Sequence, residues 1–154
     1  MSELQVGAEA PDFTLATDTA GDINLSDYKG QKVILFFYPK DDTPGCTIES
    51  NEFSDLNDKF KAKNCVVIGV SPDNVASHAK FRNKYGLNVL LASDESHDIL
   101  STYGVWQQKK NFGKEYMGIV RTTYLIDETG VIAQIWNKVK VKDHVQIVLD
   151  SLSA

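Results

Sequence analysis

The sequence predicts an α/β fold, and three observations predict it. Two continuous apolar runs, residues 32–38 and 65–71, are of the kind that form central strands covered on both faces. Between them, Phe53, Leu56 and Phe60 recur at helical spacing within residues 44–63, which makes a β-α-β unit with parallel strands. Near each end of the chain, two short segments flank a glycine-containing turn, as hairpins do.

Taken in order, residues 12–16 and 22–25 alternate polar with apolar side chains around the turn that ends at Gly21, and so form the first hairpin. After the β-α-β unit, residues 75–85 form a helix, preceded by Ser71, Pro72 and Asp73 and stopped by Gly86. A short strand at residues 89–91 is followed by a helix over 94–103, ended by Gly104. Residues 106–115, rich in glutamine and lysine, read as a mobile loop. Residues 117–126 and 131–136 flank the turn at 127–130 as a second hairpin. In residues 142–152, Val145, Val148, Leu149 and Leu152 line one helical face. Parallel strands closed by an antiparallel hairpin define a thioredoxin-like mixed β-sheet flanked by helices, with an N-terminal β-hairpin. There is no repeat or linker, so residues 1–154 are expected to form a single domain.

Composition narrows the function. With 42% hydrophobic and 24% charged residues the chain is ordinary for a soluble globular protein, and disorder is not expected. A net charge of −5 argues against a surface built for nucleic acid or for anionic membranes. The lysines at 138, 140 and 142 fit the solvated face of a strand edge. Neither a basic, apolar leader nor an 18-residue apolar run is present, and two cysteines fit a reducing compartment, so a cytoplasmic protein is expected. No zinc-type spacing and no glycine-rich phosphate loop occurs, so no cofactor or metal is expected. His78, His97 and His144 fall on predicted helices without shared spacing and are expected at the surface; Trp106 and Trp136 are expected to pack.

The chemistry concentrates at Cys46. An unperturbed thiol, with a pKa of about 8.5, is only roughly 3% thiolate at pH 7, and the thiolate is the nucleophile. Thr43 reads as the N-cap and Pro44 as the first residue of a helix, which puts Cys46 in the first turn, among unpaired N–H groups and the positive end of the helix dipole. A free cysteine is otherwise a small buried hydrophobe. Pro39, Thr43, Pro44 and Gly45, however, are turn and cap residues, which favour a reactive thiol. Asp41 and Asp42 would oppose ionisation if they pointed inward, so a cation from elsewhere in the chain is expected.

Pro39, Thr43 and Cys46 together resemble the peroxidatic motif of the peroxiredoxins. The string from Phe37 to Thr47 is similar in particular to the bacterioferritin-comigratory, or Q-type, subgroup. The resemblance continues through residues 7–15, 70–73 and 121–127. It implies that the Cys46 thiolate attacks a hydroperoxide, releases water or an alcohol and becomes a sulfenic acid that thiols reduce. It further implies that Thr43 Oγ holds the peroxide or thiolate, that Pro39 shields the sulfur, and that N–H groups around Gly45 and Cys46 stabilise the leaving oxygen. Arg121 would be the expected cation, favouring the thiolate and polarising the peroxide. Glu49 resembles the acidic partner that orients this arginine.

The chain departs from the subgroup at the resolving cysteine. Asn51 stands at one position where some members carry it, and Phe81, Arg82 and Asn83 include none at the other. Cys65 opens a central strand, whereas Cys46 follows the end of the neighbouring one, so the two are expected at opposite edges of the sheet. A one-cysteine cycle is the leading reading, with thioredoxin, glutaredoxin or glutathione as the external thiol and, from the resemblance, a monomer. Three alternatives stay open. Cys65 could resolve between molecules. The chain could exchange disulfides, although Thr43 occupies the first position of a Cys-x-x-Cys spacing. It could also act as a redox sensor that binds a partner.

Overall fold

The computed structural model describes residues 4–111 and 113–152. A seven-stranded sheet in the order β2-β1-β5-β4-β3-β8-β9 forms its centre. The strands are β1 (Thr14–Thr17), β2 (Asp22–Asn24), β3 (Lys32–Phe37), β4 (Cys65–Ser71), β5 (Leu90–Ser93), β8 (Thr122–Ile126) and β9 (Ile132–Trp136). β3, β4 and β5 are parallel neighbours, and the hairpins add antiparallel strands at both edges. This is the thioredoxin-like mixed sheet that the sequence predicts.

The reason β3 reads as an unbroken apolar run is that both of its faces are buried. Val33, Leu35 and Phe37 enter one core with Phe13, Leu100 and Tyr103; Ile34, Phe36 and Tyr38 enter the other with Phe53, Phe60, Phe81 and Val148. The second core lies under α1 (Pro44–Asp55), α2 (Asn57–Ala62), α3 (Val75–Tyr85) and α5 (His144–Ser151). Gly86 ends α3 with φ of 66°, a left-handed conformation that glycine adopts at little cost.

Four expectations are corrected. The helix expected over 44–63 is divided at Leu56, where buried Asn57 turns to donate to the Asn88 carbonyl and Ser54 Oγ accepts from Asn88 N–H. The helix expected over 94–103 shrinks to α4 (Asp98–Thr102), because His97 is left-handed and the Asp94 carboxylate accepts from the Leu100 N–H. Residues 106–115, apart from Phe112, which lies outside the described residues, are not a loop. They join β6 (Trp106–Asn111) to β7 (Lys114–Ile119) as a separate two-stranded sheet. The strand expected over 117–126 therefore breaks at Val120 and Arg121, where the chain passes from that ribbon into β8.

Candidate active site

The end of β3 delivers the chain into the turn at residues 39–43, and α1 begins at once. Thr43 takes the N-cap position with extended backbone and Pro44 is the first helical residue. The Thr43 hydroxyl does not cap the helix. It donates instead to the Lys40 carbonyl at 2.8 Å, closing the turn, while the Thr43 carbonyl accepts the first helical bond from Thr47 N–H. Cys46 is the third residue of α1 and is fully buried; Pro39 and Thr43, in the turn before it, are half-buried.

Arg121 reaches this sulfur from the break between β7 and β8. Its Nη2 donates to Cys46 Sγ at 3.2 Å and its Nη1 to Glu49 Oε1 at 2.7 Å. Glu49 lies one helical turn beyond Cys46 and is fully buried. Burial pushes its carboxyl up to about 7, against the opposing pull of Arg121. Its second oxygen, Oε2, has no hydrogen-bond partner among the described residues. Burial works against the Arg121 charge, but Glu49 and Cys46 outweigh it and hold the guanidinium protonated. Gly45 leaves room for this arrangement, since a Cβ there would stand 3.2 Å from Arg121 Nη2. The result is a thiol in the first turn of a helix, touched by a fixed cation and shielded from water. The helix N-terminus and the guanidinium place positive charge at the sulfur and can polarise an oxygen brought to it.

The two acids of the turn do not face the thiol. Asp41 accepts from Tyr38 Oη at 2.6 Å and Ser77 Oγ at 2.8 Å and lies 2.7 Å from His78 Nδ1. Asp42, left-handed at φ of 59°, accepts from Lys84 Nζ and Tyr85 Oη. A non-glycine residue in that region costs about 1–3 kcal/mol and persists where its surroundings over-determine it. The partners on α3 hold it here. Arg121 thus answers Cys46 and Glu49 rather than Asp41 and Asp42.

His78 and His144, expected at the surface, are buried. His78 shares the inward face of α3 with Phe81 and Tyr85, a helical spacing that could have signalled a buried histidine with a partner. His144 lies edge-on to Phe53 and Trp136 and bonds Thr123 Oγ1 at 2.9 Å. Burial, helped by the Arg121 charge, pushes it down to about 4, so it is neutral. His97 is half-buried against Trp106.

Cys65 is buried at the start of β4, where burial pushes its thiol up to about 12. It pairs with Lys32, whereas Val70 pairs with Phe37 at the Cys46 end. Five register steps at about 3.3 Å put some 17 Å of strand between those ends, against the roughly 4.4–6.8 Å that a disulfide spans between Cα atoms. Among the described residues no helix is long and apolar enough to cross a membrane.

A thioredoxin-type sheet that presents an arginine-paired cysteine at a helix N-terminus defines a class of thiol-bearing redox proteins. Residues 6–135 match the AhpC/TSA family. The peroxiredoxin Bcp of Bacillus subtilis is 49% identical over 149 residues, covering 97% of this chain and 95% of that protein. A putative peroxiredoxin bcp of Coxiella burnetii is 50% identical, covering 97% and 99%. Among solved structures, a cysteine-to-serine mutant of Xylella fastidiosa PrxQ superposes with a TM-score of 0.93 at 35% identity, covering 99% of this chain and 97% of that one. The bacterioferritin comigratory protein of Xanthomonas campestris, described with alkyl peroxide reduction activity, gives 0.90 at 34% identity, covering 96% and 97%. The chain belongs to the AhpC/TSA family as a peroxiredoxin of the bacterioferritin-comigratory, or Q-type, subgroup. That membership supports thiol-dependent peroxide reduction as its chemistry.

Proposed function

We propose that this chain reduces hydrogen peroxide and organic hydroperoxides with Cys46 as the attacking thiol, in a one-cysteine cycle completed by an external thiol. The observation that carries the reading is the 3.2 Å contact between Arg121 Nη2 and Cys46 Sγ in the first turn of α1. The Cys46 thiolate attacks the terminal peroxide oxygen and the O–O bond breaks. The leaving oxygen takes a proton and departs as water or an alcohol, and Cys46 becomes a sulfenic acid. Arg121 and the N–H groups at the start of α1 stabilise the charge that develops on the leaving oxygen. Thr43 and Pro39 bound the approach to the sulfur, Gly45 admits the guanidinium, and Glu49 orients it.

One molecule of thiol then displaces water from the sulfenic acid to give a mixed disulfide, and a second releases the Cys46 thiol. Glutathione, thioredoxin and glutaredoxin all have the required chemistry. The burial of Cys65 and its raised pKa support an external rather than an internal resolving thiol. The alkyl peroxide activity attached to the Xanthomonas relative supports the inclusion of organic hydroperoxides.

Peroxide consumption driven by dithiothreitol, compared between the natural chain and Cys46→Ser, tests the reading. Loss of turnover in the variant is expected, and a gain of one oxygen on the monomer after one equivalent of peroxide in the natural chain alone. Turnover that survives Cys46→Ser would overturn it.

A further inference from the structure

The turn that leads to Cys46 is held by α3, and the holding group is a buried pair. Asp41 is 7% exposed and His78 is fully enclosed. His78 Nδ1 lies 2.7 Å from Asp41 Oδ2, and on the far side of the ring Nε2 lies 2.9 Å from the carbonyl oxygen of Ala92 in β5. A carbonyl oxygen only accepts, so Nε2 carries a hydrogen; an ionised carboxylate only accepts, so Nδ1 carries another. An imidazole with both hydrogens is a cation.

The groups that face this ring come from four elements besides α3. Asp41 approaches from the turn after β3, and the Tyr38 hydroxyl from the end of β3 at 3.5 Å from Nδ1. Asp73 acts from the loop after β4, where its carboxylate also accepts from Asp41 N–H at 2.7 Å. Ala92 contributes its carbonyl from β5, and Ser77, on α3 itself, donates to the same Asp41 oxygen that meets His78. Burial opposes the charge on His78, but the bonds to Asp41 and Ala92 and the charges of Asp41 and Asp73 outweigh it and raise its pKa.

We propose that His78 is a positioning residue for the peroxide reaction: as a buried imidazolium it fixes Asp41, and through Asp41 the turn at residues 39–43 and the start of α1 that set the Cys46 sulfur against Arg121. The inference rests on the reading of Cys46 as the peroxide-reducing thiol. A neutral imidazole has one N–H and two acceptors to serve, so deprotonation breaks the bond to either the Ala92 carbonyl or Asp41, and it leaves the Asp41 carboxylate, then bonded only by neutral donors such as the hydroxyls of Tyr38 and Ser77, buried without a countercharge. The hold is therefore complete below the ordinary histidine pKa of about 6.5 and is lost as pH rises through the raised value. The turn loosens in that window and peroxide attack slows.

Two measurements between about pH 6 and 9 test this on the natural chain and His78→Gln. The first is amide hydrogen exchange of residues 40–47 relative to β3, alongside NMR titration of the His78 ring. The second is the rate of Cys46 oxidation by hydrogen peroxide. In the natural chain the relative protection should fall with the ring titration. In His78→Gln it should be low at every pH, with oxidation at about pH 6 slowed about 10- to 100-fold, the cost of misplacing a reacting group. A natural chain that reacts with peroxide while its protection ratio stays flat would overturn this inference alone, and so would a variant that keeps the pH step. A natural chain inert to peroxide would overturn the reading of Cys46 and this inference with it. Should His78→Gln fail to fold, the titration of the natural chain decides by itself.

Discussion

Arg121 and Cys46 meet across 75 positions of sequence, with the guanidinium Nη2 3.2 Å from the sulfur. The contact exists because the chain breaks between β7 and β8. Val120 N–H still bonds the Val105 carbonyl, Thr122 already pairs with Phe37, and Arg121 is left between the two sheets beside the first turn of α1. One sheet-to-sheet transition thus brings a fixed cation to the buried Cys46 sulfur.

Arg121→Ala should slow oxidation of Cys46 by about 100- to 1,000-fold, the usual loss when a positioned donor is removed. The fold should survive, because Glu49, with its carboxyl already pushed up to about 7, can take a proton instead of remaining a lone buried charge. Stopped-flow oxidation kinetics together with far-UV circular dichroism check both halves.

Glu49 should make stability pH-dependent. Its folded pKa of about 7 lies above the 4.5 of a free glutamate, so the fold prefers the protonated form. Its contribution is complete below about pH 4.5 and is lost as pH rises through about 7, on the order of 3 kcal/mol at most. Glu49→Gln removes that loss. Urea midpoints should show the variant gaining on the natural chain between about pH 4.5 and 8, with the gain levelling off above the Glu49 titration. Parallel midpoints across that range would contradict the assignment.

Much of the fold was legible because burial writes directly into sequence. β3 and β4 are apolar throughout since both faces are covered, and Gly86 marks the end of α3 because a left-handed residue is needed there. The ribbon of β6 and β7 left no such mark: Gln107, Gln108 and Lys110 are exposed and its strands pair with each other, so no alternation toward a core appears. α4 was overdrawn because the Asp94 side chain takes the Leu100 N–H that a helix starting at Asp94 would not offer it. In the site, Pro39, Thr43 and Cys46 were readable as a local cluster, whereas Arg121 became a candidate for this sulfur only through resemblance. The contact between Asp41 and His78 was missed because it spans 37 positions, although the spacing of His78 with Phe81 and Tyr85 marked the histidine as inward-facing.

Cys65→Ala should leave the Cys46 reaction intact. The Cys65 thiol is 2% exposed, is pushed up to about 12 by burial, and sits at the far end of the strand pair from Cys46. Intact-mass analysis after one equivalent of peroxide should give the same single oxygen gain in variant and natural chain, with no covalent dimer on a non-reducing gel. A dimer that disappears in Cys65→Ala would make Cys65 the resolving thiol between molecules. The substitution should cost about 1–2 kcal/mol of stability through lost packing, which a urea titration would read.

Gly45→Ala should separate activity from stability. A methyl group at this position would stand 3.2 Å from Arg121 Nη2 and 3.8 Å from Val141 Cγ2, so the guanidinium must yield by a few tenths of an ångström. Arg121 is also tied to Glu49 at 2.7 Å, and any shift that relieves the methyl strains that bond or lengthens the one to Cys46. In a helix, alanine is otherwise preferred to glycine by about 0.5–1 kcal/mol, so the variant should be as stable as the natural chain or more so. Since misplacing a group by about 1 Å costs about 100-fold, this smaller displacement should slow Cys46 oxidation by about 3- to 10-fold. A thermal melt and a peroxide rate on the same preparation give the answer. Unchanged stability with a slower rate would tie the loss to the position of the guanidinium, and an unchanged rate would show that the Arg121 side chain can yield without leaving the sulfur.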